Sequence, residues 1–452
     1  MQSEKQYIDL YNEAQGMIKQ HSCDVLNKVR DKAFEDFKAQ GFPTKKVERY
    51  KYTDIPKLFA PDYGLNLQRL RMPINPYEDF KCDVPNLSTS VYFVVNDQFY
   101  NDQFYNDQLP KAQFNDGIVV DSFSNAIKAH GEIITNHYAK LADTAKDALT
   151  AFNTMLAQDG LFVYVPKGVK SDRTIQVINI LRSDVDLMLN RRILIVLEEG
   201  AELSMLFCDD SADDRKFLAT QVIEVYVGDN AKLELNCLEE THLKNVRVSN
   251  VYIEQQSNSR VSHNIITLHN GVTRNKLDLT FSGEGSECFL NGCVVADKHQ
   301  HVDNNTVINH AVGNCTSNQL YKYVLDDHAV GAFAGLIYVS KDAQKTLSHE
   351  VNQNLCAAST AHMYTQPMLE IYADDVQCNH GSTVGQLNDA ALFYMQQRGI
   401  DKREAKLLLE FAFVNEVIDK MELVPLRDRL HHLVEKRFRG ELDKCGGCKL
   451  CQ

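Results

Sequence analysis

Residues 193–238 read ILIVLEEGAELSMLFCDDSADDRKFLATQVIEVYVGDNAKLELNCL. Four apolar runs stand out, at 193–197, 203–207, 222–227 and 233–238. Each has the length of a strand and is too short for a helix. Gly, Asn, Asp and Ser separate them, as turns require. The same texture extends from about residue 161 to 372, with further runs at 251–253, 265–268, 277–281, 289–295 and 307–312. Run starts recur at roughly ten to nineteen residues, and no helical stripe intervenes. Two architectures suit this pattern. One is a sandwich or barrel of antiparallel strands. The other is a strand solenoid, whose stacked coils bury one continuous narrow core. So many runs strain a single sandwich and suit a solenoid, and Gly and Asn at its corners tolerate left-handed backbone.

Both flanks look helical. Residues 2–38 are expected to form two helices, with Val25, Leu26, Val29, Ala33, Phe34 and Phe37 on one stripe that Gly41 and Pro43 end. The basic and aromatic segment 43–59, PTKKVERYKYTDIPKLF, is a surface-hugging linker or a docking strip. NDQFY occurs at 96–100 and 101–105, and NDQLP at 106–110, a local duplication that lengthens a loop. Helix is expected again over 121–158, with Leu149, Phe152 and Leu156 on its stripe, until Gly160. Further helices are expected at 386–397 and 402–421. The second places Ala405, Leu408, Leu409, Ala412, Phe413, Val417 and Met421 on one face. A last helix starts near Pro425, with Leu426, Leu430, Leu433 and Val434 on its stripe. Such faces either cap the end of the stack or bind a partner. The fold class is therefore α+β. The expected divisions are 1–160, helical with short β elements near 90–120; 161–380, the strand core; and 381–452, helical with a cysteine-rich tail.

Composition removes several classes of function. The chain has 452 residues and 44% apolar character, enough for a large core. Acidic residues outnumber basic ones, 61 to 48, and a net charge of −13 opposes general binding to nucleic acid or an acidic membrane. No apolar run approaches the roughly 18 residues of a membrane span. The N-terminal MQSEKQYIDLYNEAQ lacks a secretory pattern. Most of the 12 cysteines are scattered, as buried thiols of a reducing compartment are, so a cytoplasmic location is expected. Phosphate-binding glycine loops, a Gly-x-Ser-x-Gly elbow and a His-Glu-x-x-His motif are all absent, so ATP hydrolysis by this chain is not expected.

Histidines are dense between 299 and 380: His299, His301, His310, His328, His349, His362 and His380, with Cys315, Cys356 and Cys378 among them. His299 and His301 can share one strand face. Imidazole and thiolate ligate zinc or iron, but no compact metal spacing is present. For any one of these histidines a hydrogen-bonded surface or turn residue is the plainer reading. The densest candidate is Cys378-Asn379-His380-Gly381-Ser382-Thr383, where strand gives way to helix. Thiol and imidazole two residues apart face one way on a strand, Gly381 permits a tight bend, and a charged imidazole lowers a nearby thiol pKa. A polar turn is the plain alternative. The tail CGGCKLCQ, 445–452, sets Cys445, Cys448 and Cys451 in two overlapping Cys-x-x-Cys units. Three thiolates leave a tetrahedral site one ligand short, to be filled by another subunit or by His431 or His432. A redox-active dithiol and an inert tail are the alternatives.

Residues 370–400, EIYADDVQCNHGSTVGQLNDAALFYMQQRGI, resemble the signature of the SufB/SufD family of iron–sulfur cluster assembly proteins. The CNHGSTVG core and the Leu-Phe-Tyr-x-x-x-Arg-Gly-Ile ending are on the SufD side; the SufB side typically has a His-Glu-Ala version. Gly41-Phe42-Pro43-Thr44 through Tyr50-Lys51-Tyr52-Thr53 resembles the family's G-x-P-T…W-K/R-Y-T stretch, with Tyr50 in the tryptophan's place. The likeness spans about residues 10–440.

This resemblance implies a right-handed parallel β-helix core and a helical C-terminal domain. It implies a non-catalytic scaffold subunit that pairs with a SufB-like subunit and a SufC-like ATPase, or with itself when partners are absent. His380 is implied as an iron or nascent-cluster ligand at the SufB interface, with Cys378 a weak companion. The stretch carrying Gln386, Leu387, Leu392, Phe393, Tyr394, Arg398, Leu408 and Phe413 matches the region that docks the ATPase. No tightly held cofactor is implied for the isolated chain; iron or a cluster passes through the complex. Reduced flavin is linked with the family, and no residue here locates it. The cysteine tail is not part of the family pattern. On the residues alone three other functions stay open. They are an autonomous metal-dependent enzyme, a carbohydrate-binding or lyase β-helix, and a scaffold with no metal role. The scattered cysteines and absent signal oppose the second.

Overall fold

Strand-length apolar runs pair in parallel, each with the run one coil away, and build a solenoid flanked by helices. The computed structural model describes residues 2–72, 74–76, 89–100 and 117–440. It begins with α1 (Gln2–Gln20), α2 (Asp24–Gln40) and the one-turn α3 (Ile55–Leu58). Strands β1 (Gly64–Leu65), β2 (Thr89–Val95), β3 (Gln98–Tyr100) and β4 (Val119–Ser122) precede α4 (Phe123–His137) and α5 (Ala148–Leu156). The stack opens with β5 (Leu161–Val165), β6 (Thr174–Leu181), β7 (Leu187–Leu197), β8 (Glu202–Ser211) and β9 (Phe217–Val227). It continues with β10 (Lys232–Glu240), β11 (Val246–Gln255), β12 (Arg260–His269), β13 (Val272–Phe281) and β14 (Glu287–Ala296). Its upper coils are β15 (His301–His310), β16 (Thr316–Leu325), β17 (Val330–Val339), β18 (Leu347–Cys356), β19 (His362–Ile371) and β20 (Gln377–Gly385). Helices α6 (Asp389–Gln397), α7 (Lys402–Ile418) and α8 (Val424–Arg439) follow.

Odd-numbered strands from β5 to β19 form one sheet and even-numbered strands from β6 to β20 the other, so eight coils of two strands wind between two sheets. Pairing between coils is parallel, and partners recur after 26 residues (Val246 to Val272) to 32 residues (Val330 to His362). The run spacing in the sequence is thus half a coil, and the antiparallel alternative is excluded. One corner accounts for the recurring Gly and Asn. Gly200, Asn230, Asn258, Gly285 and Asn314 occupy it in successive coils, with φ of 70°, 58°, 56°, 74° and 59°. Left-handed backbone strains these two residue types least. The amides of Gly200, Asn230 and Asn258 each donate to a carbonyl of the next coil, Asp229, Ser257 and Glu284, at 2.8–2.9 Å.

Between the sheets, Ile193, Ile223, Val251 and Leu277 meet Phe207, Leu235, Ile265 and Leu290 in one core. Each such side chain contributes about 1.5–3 kcal/mol by leaving water. Helices cover the outer faces. Phe37, Phe42, Phe59 and Phe152 pack on Met188, Leu218, Val246 and Val248 of the first sheet. Val414, Val417, Leu426, Leu430 and Leu433 of α7 and α8 pack on Ile178, Leu206, Leu238 and Ile266 of the second. The C-terminal helices therefore lie along the side of the stack and do not cap its end. The buried face of α7 runs through Ala405, Glu410, Val414, Val417 and Ile418. Leu408 and Ala412, placed on the expected stripe, are exposed instead. Val414 and Ile418, one turn apart, are what the sheet accepts.

The first NDQFY copy makes the two-residue turn of the β2–β3 hairpin, with Asn96 at φ 58°. The later copies at 101–110 lie outside the described residues, as do Cys445, Cys448 and Cys451.

Candidate functional site

The two ends of the stack differ. At the lower end the sheets finish on antiparallel strands, β3 beside β2 and β4 beside β5. At the upper end β19 and β20 are the last strands of their sheets, and among the described residues nothing pairs with their outer edges. Such an edge presents unpaired N–H and C=O groups, a template for a further strand. Tyr364 and Val384 on it are 47% and 51% exposed, whereas every residue of β7 is buried.

His380 lies on this open rim and is exposed. Register pairs Ser348 with Cys378, Glu350 with His380 and Asn352 with Ser382. Cys378 and His380 thus share one strand face, the face on which β18 points into the interior. The Cys378–Thr383 stretch is regular strand, not a turn, because β18 pairs with it along its length; Gly381 makes no bend. Cys378 packs beside Ile337 and Val339. Burial pushes its thiol up, with a Ser348 backbone bond opposing, so the expected lowering does not occur.

Beneath the rim the interior is polar. Thr306 Oγ1 donates to Gln319 Oε1, and Gln319 Nε2 donates to Glu350 Oε2, both at 2.8 Å. Burial pushes the Glu350 carboxyl up to about 8, against the Gln319 bond, so it holds its proton at neutral pH. Thr365 Oγ1 lies 2.8 Å from Asn352 Oδ1 and 2.7 Å from Ser382 Oγ. His310 contacts Ser317 Oγ at 2.9 Å, and burial lowers its imidazole to about 4.

The other histidines do not converge. His299 sits in the turn before β15, while His301 lies on β15 with Nε2 3.1 Å from Thr53 Oγ1, so the two share no strand face. Among the described residues no three His, Cys, Asp or Glu side chains are grouped to hold a metal ion.

On α6 no residue is buried, and Phe393 and Tyr394 are 63% and 59% exposed. Arg398 Nη2 donates to Tyr394 Oη at 3.0 Å. Gln386 and Leu408 are exposed and Leu392 is half-buried, whereas Leu387 leans on the core beneath α7. Phe413 turns toward the second sheet, with Lys322 Nζ 4.6 Å from its ring centre. It is therefore apart from the exposed aromatic patch.

The segment 43–59 proves to be a strap on the outer face of the first sheet. Arg49 takes Asp278 with two nitrogens (2.7 and 3.2 Å) and Asn305 with a third (2.7 Å). Thr53 Oγ1 donates to Asp303 Oδ2 at 2.5 Å. Tyr52 donates to Gln366 Oε1 at 3.0 Å and stacks on Tyr364, ring centres 4.9 Å apart. The strap thus joins β13 and β15 to the rim strand β19. Its basic and aromatic alternation was the visible signal; its target was not. Glu350 carried no signal at all.

Residues 1–177 match the family described as SufBD protein N-terminal region, and residues 180–413 match the SUF system FeS cluster assembly, SufBD core domain. An iron–sulfur cluster assembly SufBD family protein of Synechocystis is 26% identical over 445 residues, covering 94% of this chain and 93% of its own. Iron–sulfur cluster assembly protein SufD of Escherichia coli is 26% identical over 407 residues, 88% of this chain and 90% of its own. SufD of Bacillus subtilis is 24% identical over 327 residues, 72% and 74% of the two chains. With the solenoid and its CNHGSTVG rim strand in place, these matches show that the chain belongs to the SufBD family of SUF-system iron–sulfur cluster assembly proteins.

Proposed function

We propose that this scaffold of the SufBD family works as a non-catalytic, SufD-type subunit that joins a SufB-like partner at the open rim and a SufC-like ATPase at α6 and α7. The observation that carries this is the exposed His380 on the last strand of an uncapped sheet. A partner strand continuing β20 would set its own donors beside that imidazole. One imidazole is an incomplete iron site; partner thiolates or carboxylates complete it. Iron and the nascent cluster are cargo here, and Cys378, held as a thiol by burial, is secondary. Coordination by His380 weakens wherever the imidazole is protonated. In the absence of the partner, the same edges suit a second copy of this chain.

The aromatic patch of Phe393, Tyr394 and Arg398, with Leu408, suits a protein surface, because aromatic and arginine anchors dominate such contacts. Movement there reaches the sheet through α7. Lys322 of β16 pairs with Glu416 at 2.5 Å, and Lys406 pairs with Asp326 at 2.9 Å. Among the described residues no helix is long and apolar enough to cross a membrane.

The test is His380→Ala in the complex co-purified with its SufB-like and SufC-like subunits. The complex is expected to assemble normally and to carry less iron and acid-labile sulfide. Unchanged iron and sulfide would remove His380 from the function.

A further inference from the structure

One imidazole breaks a pattern inside the solenoid. Inward positions of the first sheet carry a polar column in register from coil to coil: Arg191, Gln221, Ser249, Asn275 and Asn304. The facing column of the second sheet runs Met205, Leu235, His263 and Leu290. His263 is the polar member of that apolar row, and it is buried. It lines a cavity of about 20 Å³ with Gln221, Cys237, Arg247, Ser249 and Tyr321, and every residue around this space is buried.

Most polar groups of the lining already have partners. Gln221 Nε2 donates to Ser249 Oγ at 3.1 Å. Arg247 donates to Asn275 Oδ1 at 2.7 Å, and its Nε lies 3.0 Å from Asp209 Oδ2. Cys237 Sγ is 4.0 Å from His263 Nε2. Two uncharged groups remain. His263 Nδ1 and Gln221 Oε1 are buried and have no hydrogen-bond partner among the described residues. A polar atom left bare in an interior forfeits its hydration, so nearly all such atoms bond to protein or to ordered water.

The chemistry of the lining selects the occupant. Burial pushes the Cys237 thiol up to about 12. Burial, helped by Arg247, lowers the His263 imidazole to about 4. Both are therefore neutral near pH 7. A thiophilic cation needs the thiolate and would sit beside the Arg247 guanidinium. An anion would face the Gln221 carbonyl oxygen. Water meets neither objection. It donates to Gln221 Oε1, and it answers His263 Nδ1 as donor or acceptor, whichever tautomer the ring adopts beside the thiol. The volume fits too, since a water needs roughly 10–15 Å³ for its centre and two to four polar partners.

We propose that one ordered water occupies this cavity and bridges His263 Nδ1 of β12 to Gln221 Oε1 of β9, tying the two sheets together in mid-stack. Direct bonds already cross the interior lower down, from Arg191 to Asp209 at 2.7 Å, and higher up, from Asn304 to Tyr323 at 2.6 Å. The water continues these ties through the coils between. The site is separate from the His380 rim and needs no partner subunit.

The experiment is a crystal structure of the full chain at a resolution that shows ordered water, with a second set of crystals grown in bromide. One water is expected at roughly 2.7–3.2 Å from both His263 Nδ1 and Gln221 Oε1. In solution, water ¹⁷O relaxation dispersion is expected to count one long-lived water fewer in His263→Phe, whose ring fills the space and offers no polar atom. A cavity without density overturns the proposal. So does a direct bond from His263 to Gln221 that closes the space, or an anomalous bromide peak within it. An unchanged count of long-lived waters in a folded His263→Phe chain overturns it as well. The crystal needs no variant, so it decides even where His263→Phe fails to fold.

Discussion

A β-carbon added to Gly335 would lie 2.4 Å from Oε2 of Glu350 and 2.7 Å from its Oε1. Gly335 of β17 is therefore the slot that admits a buried carboxyl directly below the register position of His380. Gly335→Ala is expected to destabilise the chain by about 1–3 kcal/mol through overpacking. In a Glu350→Ala background the same change should cost markedly less. A double-mutant cycle in urea measures the coupling. Additive effects would show that the two residues do not share the slot.

Glu350 also makes stability depend on pH. Its folded pKa, pushed to about 8, lies above the unfolded value near 4.5, so the folded state binds more protons between them. Its contribution is fully present below about 4.5 and declines until pH passes about 8. Glu350→Gln keeps the shape and removes the ionisation. The stability of the variant relative to wild type is expected to rise across that window, as read by urea midpoints at pH 5 and pH 8. A constant difference would contradict the buried neutral carboxyl.

Asp147 has the opposite sign. Burial alone would raise its pKa, but Lys276 Nζ at 3.1 Å, Tyr50 Oη at 2.5 Å and the Thr150 amide hold it well below the usual carboxylate range. Its contribution is present above the unfolded value near 3.9 and is lost as pH falls below it. Asp147→Asn takes one of two carboxylates from the buried Lys276, which keeps Asp278 at 3.3 Å, and is expected to cost about 1–3 kcal/mol at pH 7. The difference from wild type should narrow in acid, as followed by denaturation at pH 7 and pH 3.

The strap supports the rim. Tyr52→Ala removes the ring stack on Tyr364 and the bond to Gln366, for about 0.5–1.5 kcal/mol. The amides of β19 are expected to exchange faster with solvent, while those of β7 stay unchanged. Equal acceleration in both strands would mean a global loss of stability and no local support.

The parts legible in the sequence were those that repeat. Runs such as 222–227 and 233–238, with Gly200 and Asn230 between runs, carry the solenoid because every coil uses the same strand length and the same left-handed corner. Features that depend on distant pairing were not legible. The rotation of α7 is chosen by the second sheet, so Val414 and Ile418 are buried and Leu408 is exposed. Cys378–Thr383 had the composition of a turn and is a strand, because β18 lies ready to pair with it. His299 and His301 are two apart in sequence but divided by a strand boundary. The partners of Arg49 are 229 and 256 residues away, beyond any local pattern.

The most direct measurement is backbone amide hydrogen exchange of this chain alone and in complex with its SufB-like subunit. If a partner strand completes the open rim, amides of β19 and β20, residues 362–371 and 377–385, are expected to slow at least tenfold in the complex while those of β7 to β15 keep their rates. A complex that forms while the β19 and β20 amides exchange as fast as in the free chain would contradict that role for the His380 rim.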